Sequence, residues 1–306
     1  MKHLLIASLI VAVFVPFLLN LCFGAAWAEF GNTSEVSAIA STNVLGGADV
    51  LAGTNGGIIQ WREGGLLGSY GVLDGLPSGN VTAMANDPAY GLAIGTDSGA
   101  LLVSTSGIRH LDASNGLGDD MVFDLAFDPD GRLLAGTLKG IAIIDDIGGI
   151  LLNTDNGLPA DRIISVLADL DRSIWVGTSG FGAANIASER ITLLTTADGL
   201  AGDFIYDIAH DPMGRIVFAT DGGVSVFDDL GIRGFRPPED ASETAILCLK
   251  TTTDSVLCGG PAGLFELAGD EFQRVQHGEW LQDRSVQAIT TDSDGVVVIA
   301  LQPLDP

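Results

Sequence analysis

The chain has 306 residues, with 39 acidic against 14 basic side chains and a formal net charge of −25. Such a field repels polyanions, so nucleic acid and anionic membrane surfaces are excluded as partners. An apolar content of 47% is ample for a core, and 41 glycines point to many tight turns.

Residues 1–28 read as an export signal. Lys2 and His3 precede an apolar run from Leu4 to Trp27, and Ala26-Trp27-Ala28 has the small-x-small form of a signal-peptidase site before Glu29. The run is also long enough to span a bilayer, so the alternative is retention as an N-terminal membrane anchor. Leu21 before Cys22 is too bulky for lipoprotein processing. Either way, residues 29–306 are expected to form one domain, periplasmic or secreted, that touches a membrane only through an uncleaved leader.

From Val36 the chain settles into a repeat. An alternating stretch, Val36 to Ala40, is followed by Asp49 to Thr54, Gly57 to Trp61 and Leu66 to Leu73, with glycine or asparagine at the breaks. Asp74-Gly75-Leu76-Pro77 opens a second unit of the same plan, Asn115-Gly116-Leu117 a third, Asn156-Gly157-Leu158-Pro159 a fourth and Asp198-Gly199-Leu200 a fifth. A sixth starts near Ala241. A seventh, from about Trp280, reaches Val286 to Thr290 and Val296 to Ala300.

A Gly-Thr step at Gly53, Gly95, Gly136 and Gly177 decays to Ala219, Gly259 and Ile299, and subtraction gives spacings of 42, 41, 41, 42, 40 and 40 residues. A period near 40 with four short strands per unit predicts a propeller, because one such sheet cannot bury both faces alone. The predicted fold is all-β, a seven-bladed propeller of four-stranded antiparallel blades. The last blade is expected to be incomplete, either thin or cut short in a longer protein, with Glu29 to Ser34 able to lend one edge strand.

The phrase Asn156-Gly157-Leu158-Pro159, an alternating strand, then Ile174-Trp175-Val176-Gly177-Thr178 resembles the two-component regulator propeller repeat. That family occurs in the periplasmic sensor halves of hybrid histidine kinases, and the resemblance runs from about residue 35 to the end. Trp175 is replaced by Ala93, Leu134 and Val217 in other units, and no kinase module accompanies the array. The resemblance implies an exported, non-catalytic module that binds a saccharide, a peptide or an envelope protein.

Candidate chemistry is sparse. His110, His210 and His277 lie in different units without ligand spacing, so neither a metal centre nor a His-based triad is expected. No nucleophile elbow, phosphate loop or dinucleotide fingerprint is present. The turns at 128–131 and 292–295 faintly resemble calcium loops but lack the later glutamate, so plain turns are expected, with calcium the one cofactor kept open.

Asp124 and Asp207 share a column of the first strand that holds Ala83, Ser165 and Ala288 elsewhere, which makes them channel-lining or structural. At the channel mouth, loops should gather Asp161, Arg162, Lys139, Phe181, Asp203, Asp283 and Arg284 as ligand-binding candidates. The rival readings are a lyase or glycoside-processing enzyme using mouth carboxylates, and a structural scaffold. Cys248 and Cys258 flank a predicted turn centred on Thr253. They are either a cross-strand disulfide or two small core residues.

Overall fold

A computed structural model of the chain describes residues 9–13, 28–30, 36–42, 49–62, 65–188, 190–238, 243–275, 284–291 and 297–302. Blade 1 consists of Val36–Thr42, Asp49–Thr54, Gly57–Arg62 and Gly65–Tyr70. Blade 2 follows with Val81–Asp87, Gly91–Thr96, Gly99–Ser104 and Gly107–Leu111. Blade 3 contains Val122–Phe127, Leu133–Thr137, Gly140–Ile144 and Gly149–Leu152. Blade 4 contains Ile163–Ala168, Ile174–Thr178, Ala183–Ala187 and Arg190–Leu194. Blade 5 is built from Ile205–His210, Ile216–Thr220, Gly223–Asp228 and Gly231–Phe235. Blade 6 is built from Cys248–Thr251, Val256–Gly260, Gly263–Ala268 and Glu271–Arg274.

Six antiparallel four-stranded blades are therefore present among the described residues, not the seven expected. The seventh position holds a mixed sheet. Val286–Thr291 and Val297–Leu301 pair antiparallel, and Leu9–Val13 and Ala28–Phe30 add two parallel strands outside them. The seventh unit contributes only two strands, so the edge of its second strand is covered by the other end of the chain, which lends two strands where one was expected. First strands of successive sheets pack side by side, and Val286–Thr291 lies against both Cys248–Thr251 and Val36–Thr42. Seven inner strands thus close into a ring around an axis.

The recurring motifs now have physical causes. In Asn/Asp-Gly-Leu the acidic or amide side chain folds back: Asp74 Oδ2 accepts the Gly71 N–H at 2.9 Å and Asn156 Oδ1 accepts that of Asn153 at 3.1 Å. The glycine that follows needs a left-handed backbone, with φ of 98° at Gly157 and 115° at Gly199. The leucine then plugs the core, and Leu76, Leu117, Leu158 and Leu200 are all buried.

In the Gly-Thr step, glycine is demanded by the next blade. A Cβ on Gly177 would meet Ile205 Cγ2 at 2.6 Å, and one on Gly95 would meet Val122 Cγ1 at 2.7 Å. The threonine pairs across strands, as Thr178 does with Ile163, and its hydroxyl closes the turn after its own strand. Thr178 Oγ1 donates to the Gly182 carbonyl at 2.7 Å and accepts the Phe181 N–H at 3.1 Å.

Apolar clusters fill the interfaces between neighbouring blades. Trp175 of blade 4 meets Phe218 and Phe227 of blade 5 edge-on, each with ring centroids 5.4 Å apart. No helix among the described residues is long and apolar enough to cross a membrane.

The two cysteines are free and buried. Cys248 stands opposite Gly259, and Cys258 stands opposite Leu249. The hairpin turn spans 252–255, which puts its centre between residues 253 and 254 rather than on Thr253. That half-residue difference sends the two thiols to opposite faces, into separate core clusters, and removes the disulfide.

Candidate binding face and inner ring

Loops entering the first strands and loops joining the second and third strands share one face of the ring. Asp119, Lys139, Asp161, Arg162, Phe181 and Asp203 all lie there, on blades 3 to 5 and the loops that lead into them. Arg284 sits at the entry to the seventh sheet, where its Nη2 donates to the Gln302 carbonyl at 3.5 Å. Asp283, His277 and the turn at 292–295 lie outside the described residues.

The carboxylates of this face divide into two kinds. Asp120, Asp161 and Asp203 brace their own loops: Oδ1 of each accepts a backbone N–H seven residues earlier, from Ala113 at 2.7 Å, Thr154 at 2.9 Å and Thr196 at 2.7 Å. The Thr196 hydroxyl adds a bond to Asp203 Oδ2 at 2.9 Å. For Asp161 the Thr154 N–H, then the Thr154 hydroxyl, hold the acid below its usual range. Asp119 is different, because its Oδ2 meets the largely exposed Lys139 Nζ at 3.1 Å.

The remaining groups are aromatic and cationic. The Arg162 guanidinium lies 4.8 Å from the centre of the Phe123 ring. Phe181 is 57% exposed at the tip of its turn. Phe204 and Tyr206 pack together with ring centroids 4.5 Å apart. Phe123, Phe204 and Tyr206 were not singled out from the sequence, although an aromatic residue at the entry to the first strand in two units marks them.

Phe123 and Tyr206 occupy the same place in a bulge. Pairing skips from Val122 to Asp124 and from Ile205 to Asp207, and the same skip recurs in blades 1, 2 and 4 and in the seventh sheet. A bulge re-aims the extra side chain, and that of Tyr206 packs partly buried against the core cluster between blades 5 and 6.

Just inside stand Asp124 and Asp207. Each carboxylate clasps two inner strands. Asp124 Oδ1 accepts the Leu125 N–H at 2.8 Å, and its Oδ2 accepts that of Val166 in the next blade at 2.8 Å. Asp207 repeats this with Ile208 at 2.8 Å and Leu249 at 2.7 Å.

Inner strands have an open edge towards the axis, and the carboxylates satisfy its donors. Both side chains are partly open to the axis yet deep within the wall. Burial, and next the charge of Asp207, push Asp124 up to about 8. Burial pushes Asp207 up to about 6, against the pull of its two N–H donors and of Lys250. Hydroxyls stitch neighbouring blades in the same way: Thr82 Oγ1 donates to the Val122 carbonyl at 2.6 Å, and Ser37 Oγ to that of Val81.

The opposite face is held by turns. Asp128 and Asp211 each receive two backbone N–H groups and an arginine Nε within their own turns, and Arg215 reaches on to Asp270 at 2.8 Å in blade 6. His210 meets Asp169 at 3.2 Å on this face. Among the described residues no group of three His, Cys, Asp or Glu side chains is placed to hold a metal ion.

No protein-family model matches the chain, and no curated protein sequence matches it either. Solved structures do. The extracellular domain of the hybrid two-component system BT3049 from B. thetaiotaomicron matches with a TM-score of 0.74 and 18% identity, over 89% of this chain and 38% of that one. The extracellular domain of the one-component system BT4673 from B. thetaiotaomicron matches at 0.68 and 16%, over 87% and 39%. This chain therefore spans less than two-fifths of either. A catalytically inactive His-to-Ala variant of virginiamycin B lyase from Staphylococcus aureus, with quinupristin, matches at 0.67 and 14%, over 89% and 93%. The chain shares the propeller fold of these extracellular domains and of the lyase.

Proposed function

We propose that this propeller is a non-catalytic recognition module working outside the cytoplasm, and that the face bearing Lys139, Arg162 and Phe181 receives the ligand. The observation that carries this reading is how the carboxylates of that face are employed. Asp120, Asp161 and Asp203 are committed to backbone donors and stiffen the loops, a preformed rim of the kind recognition favours. The likeness to extracellular domains of a hybrid two-component and a one-component system supports the location and a sensor-like role. The ligand class is an extracellular small molecule or a protein segment.

The lyase likeness sets the rival. That enzyme is inactive when one histidine is replaced, as its name states. Here His110 is exposed on an outer strand and His210 ends an inner strand on the opposite face, so neither described histidine stands at the mouth.

The test is a thermal-shift screen of the full chain against oligosaccharides, peptides and small ions, repeated with Phe181→Ser and Lys139→Ser. A ligand that raises Tm in the parent and not in the variants supports the reading. A ligand that is chemically turned over replaces it with an enzyme. No shift from any class replaces it with a scaffold.

A further inference from the structure

Phe123 and Tyr206 are structural twins. Each is the bulged residue of its inner strand, followed at once by an aspartate that clasps the next blade. The residue facing each ring from the following blade should then correspond as well. Over Phe123 that residue is Arg162, which immediately precedes Ile163, and its guanidinium lies 4.8 Å from the ring centre. In blade 6 the register sets Cys248 opposite Gly259, as Ser165 is set opposite Gly177 in blade 4. Counting back from this pair, the counterpart of Arg162 is Ala245. The cation found over one ring is replaced by a methyl group at the other.

The surroundings of Tyr206 have nevertheless kept the charge that such a cation would meet. Asp221, on the turn beside it, and Glu243, on the exposed segment leading into blade 6, both act on its phenol. Partial burial first, then the charge of Asp221 and then that of Glu243, hold the hydroxyl above the usual tyrosine range. Asp221 is fixed in place: its Oδ1 accepts the Phe204 N–H at 3.3 Å, and its carbonyl accepts the Thr244 hydroxyl at 2.9 Å. Phe204 backs the ring at 4.5 Å. Among the described residues the Tyr206 hydroxyl makes no hydrogen bond. The site thus offers a braced aromatic pair, two carboxylates and a hydroxyl, within a chain of net charge −25.

We propose that Tyr206, with Phe204, Asp221 and Glu243, binds an organic cation of the guanidinium or alkylammonium kind, seated over the ring where Arg162 sits over Phe123. The inference rests on the recognition reading and names a ligand class for the blade 5 to 6 side of the same face. A cation desolvated against an aromatic ring and paired with a carboxylate gains from both contacts. The carrier is either a free small molecule or a basic side chain of a peptide.

The experiment is calorimetric titration of the full chain with N-acetyl-arginine amide, with a tetra-arginine peptide and with its neutral tetra-citrulline analogue. Both arginine probes, or the peptide alone, should bind, and citrulline should not. Binding of the amide assigns a free cation, whereas binding of the peptide alone assigns a basic segment.

Tyr206→Ile installs the side chain that blade 4 carries at this position, Ile164, and should weaken binding about five-fold or more. Tyr206→Phe keeps the ring and should stay within about two-fold of the parent. Ala245→Arg supplies the guanidinium from within and should block the site. Unchanged affinity in Tyr206→Ile would overturn the proposal, because the peptide would then be held by the acidic surface at large. Arginine probes that fail to bind, while a ligand from the thermal-shift screen is still lost in Phe181→Ser, would reject this site and leave the recognition reading standing.

Discussion

Asp207 ties two blades together, because its Oδ2 accepts the backbone N–H of Leu249, 42 residues further along, at 2.7 Å. Asp124 makes the same connection to Val166 at 2.8 Å. Each carboxylate thereby serves one donor on its own strand and one on its neighbour.

Asparagine has only one acceptor oxygen, so it must turn its NH2 towards one of the two donors. Asp124→Asn and Asp207→Asn should each lose about 1–3 kcal/mol of stability, the cost of a buried donor left unmatched. Denaturant unfolding at pH 6 would measure this. Binding per folded molecule should be retained if the two residues are purely structural.

Stability should also fall as pH rises. Asp124 has a folded pKa of about 8 against an ordinary 3.8, so the native state holds this proton more tightly than the unfolded chain does. The contribution is complete below about pH 4 and is lost progressively up to about pH 8, and that of Asp207 is lost by about pH 6. Acids with lowered values, such as Asp97 and Asp171, act in the opposite sense at the acidic end. Tm should therefore peak in mildly acidic buffer. The gap between the parent and Asp124→Asn should narrow from pH 5 to pH 8, and a gap that widened would contradict the assignment.

The glycine column leaves little room for a methyl group. In Gly177→Ala the new Cβ would lie 2.3 Å from Ser165 Oγ and 2.6 Å from Ile205 Cγ2, so blades 4 and 5 must part slightly. A loss of about 1–3 kcal/mol is expected on overpacking grounds. Thermal unfolding would show it.

The threonine column can be tested by removing one oxygen. Thr178→Val keeps the shape but leaves the Phe181 N–H without its acceptor and removes one donor to the Gly182 carbonyl. About 1–2 kcal/mol should be lost. Amide exchange at Phe181 should quicken more than that at Val176 on the preceding strand.

Local chemistry made much of this structure legible in the sequence. Asn156-Gly157-Leu158 encodes a fold-back, a left-handed residue and a core plug within three positions, so its recurrence reports blade boundaries directly. Gly177 could be read as a close approach because glycine removes a clash that any side chain would create.

Features set by distant partners were not legible. The bonds from Asp161 and Asp203 to N–H groups seven residues earlier depend on how each loop doubles back, and these aspartates looked no different from free rim charges. Cys248 and Cys258 were misplaced because a four-residue turn and an odd-length turn differ by one in register while looking alike in sequence. The partner of Phe123 is 39 residues away by subtraction, so nothing local separates it from an ordinary strand residue. Of the two parallel strands of the seventh sheet, Ala28–Phe30 overlaps the edge strand expected from Glu29 to Ser34, whereas Leu9–Val13 lies in a segment whose composition signalled export, which hid its role as a strand.

Ser165 occupies the inner position between Asp124 and Asp207, is 1% exposed, and its Oγ has no hydrogen-bond partner. The joints between blades 3 and 4 and between blades 5 and 6 are therefore clasped by inner-strand carboxylates. Among the described residues the joint between blades 4 and 5 has no such clasp and sets Trp175 against Phe218 and Phe227, with polar contacts only towards its two ends, Gly182 N–H to the Asp203 carbonyl and His210 to Asp169. Apolar contact weakens on cooling. Within the arc of blades 3 to 6, two stapled pairs thus lean on an oily hinge, and chilling should loosen that hinge before it loosens either staple.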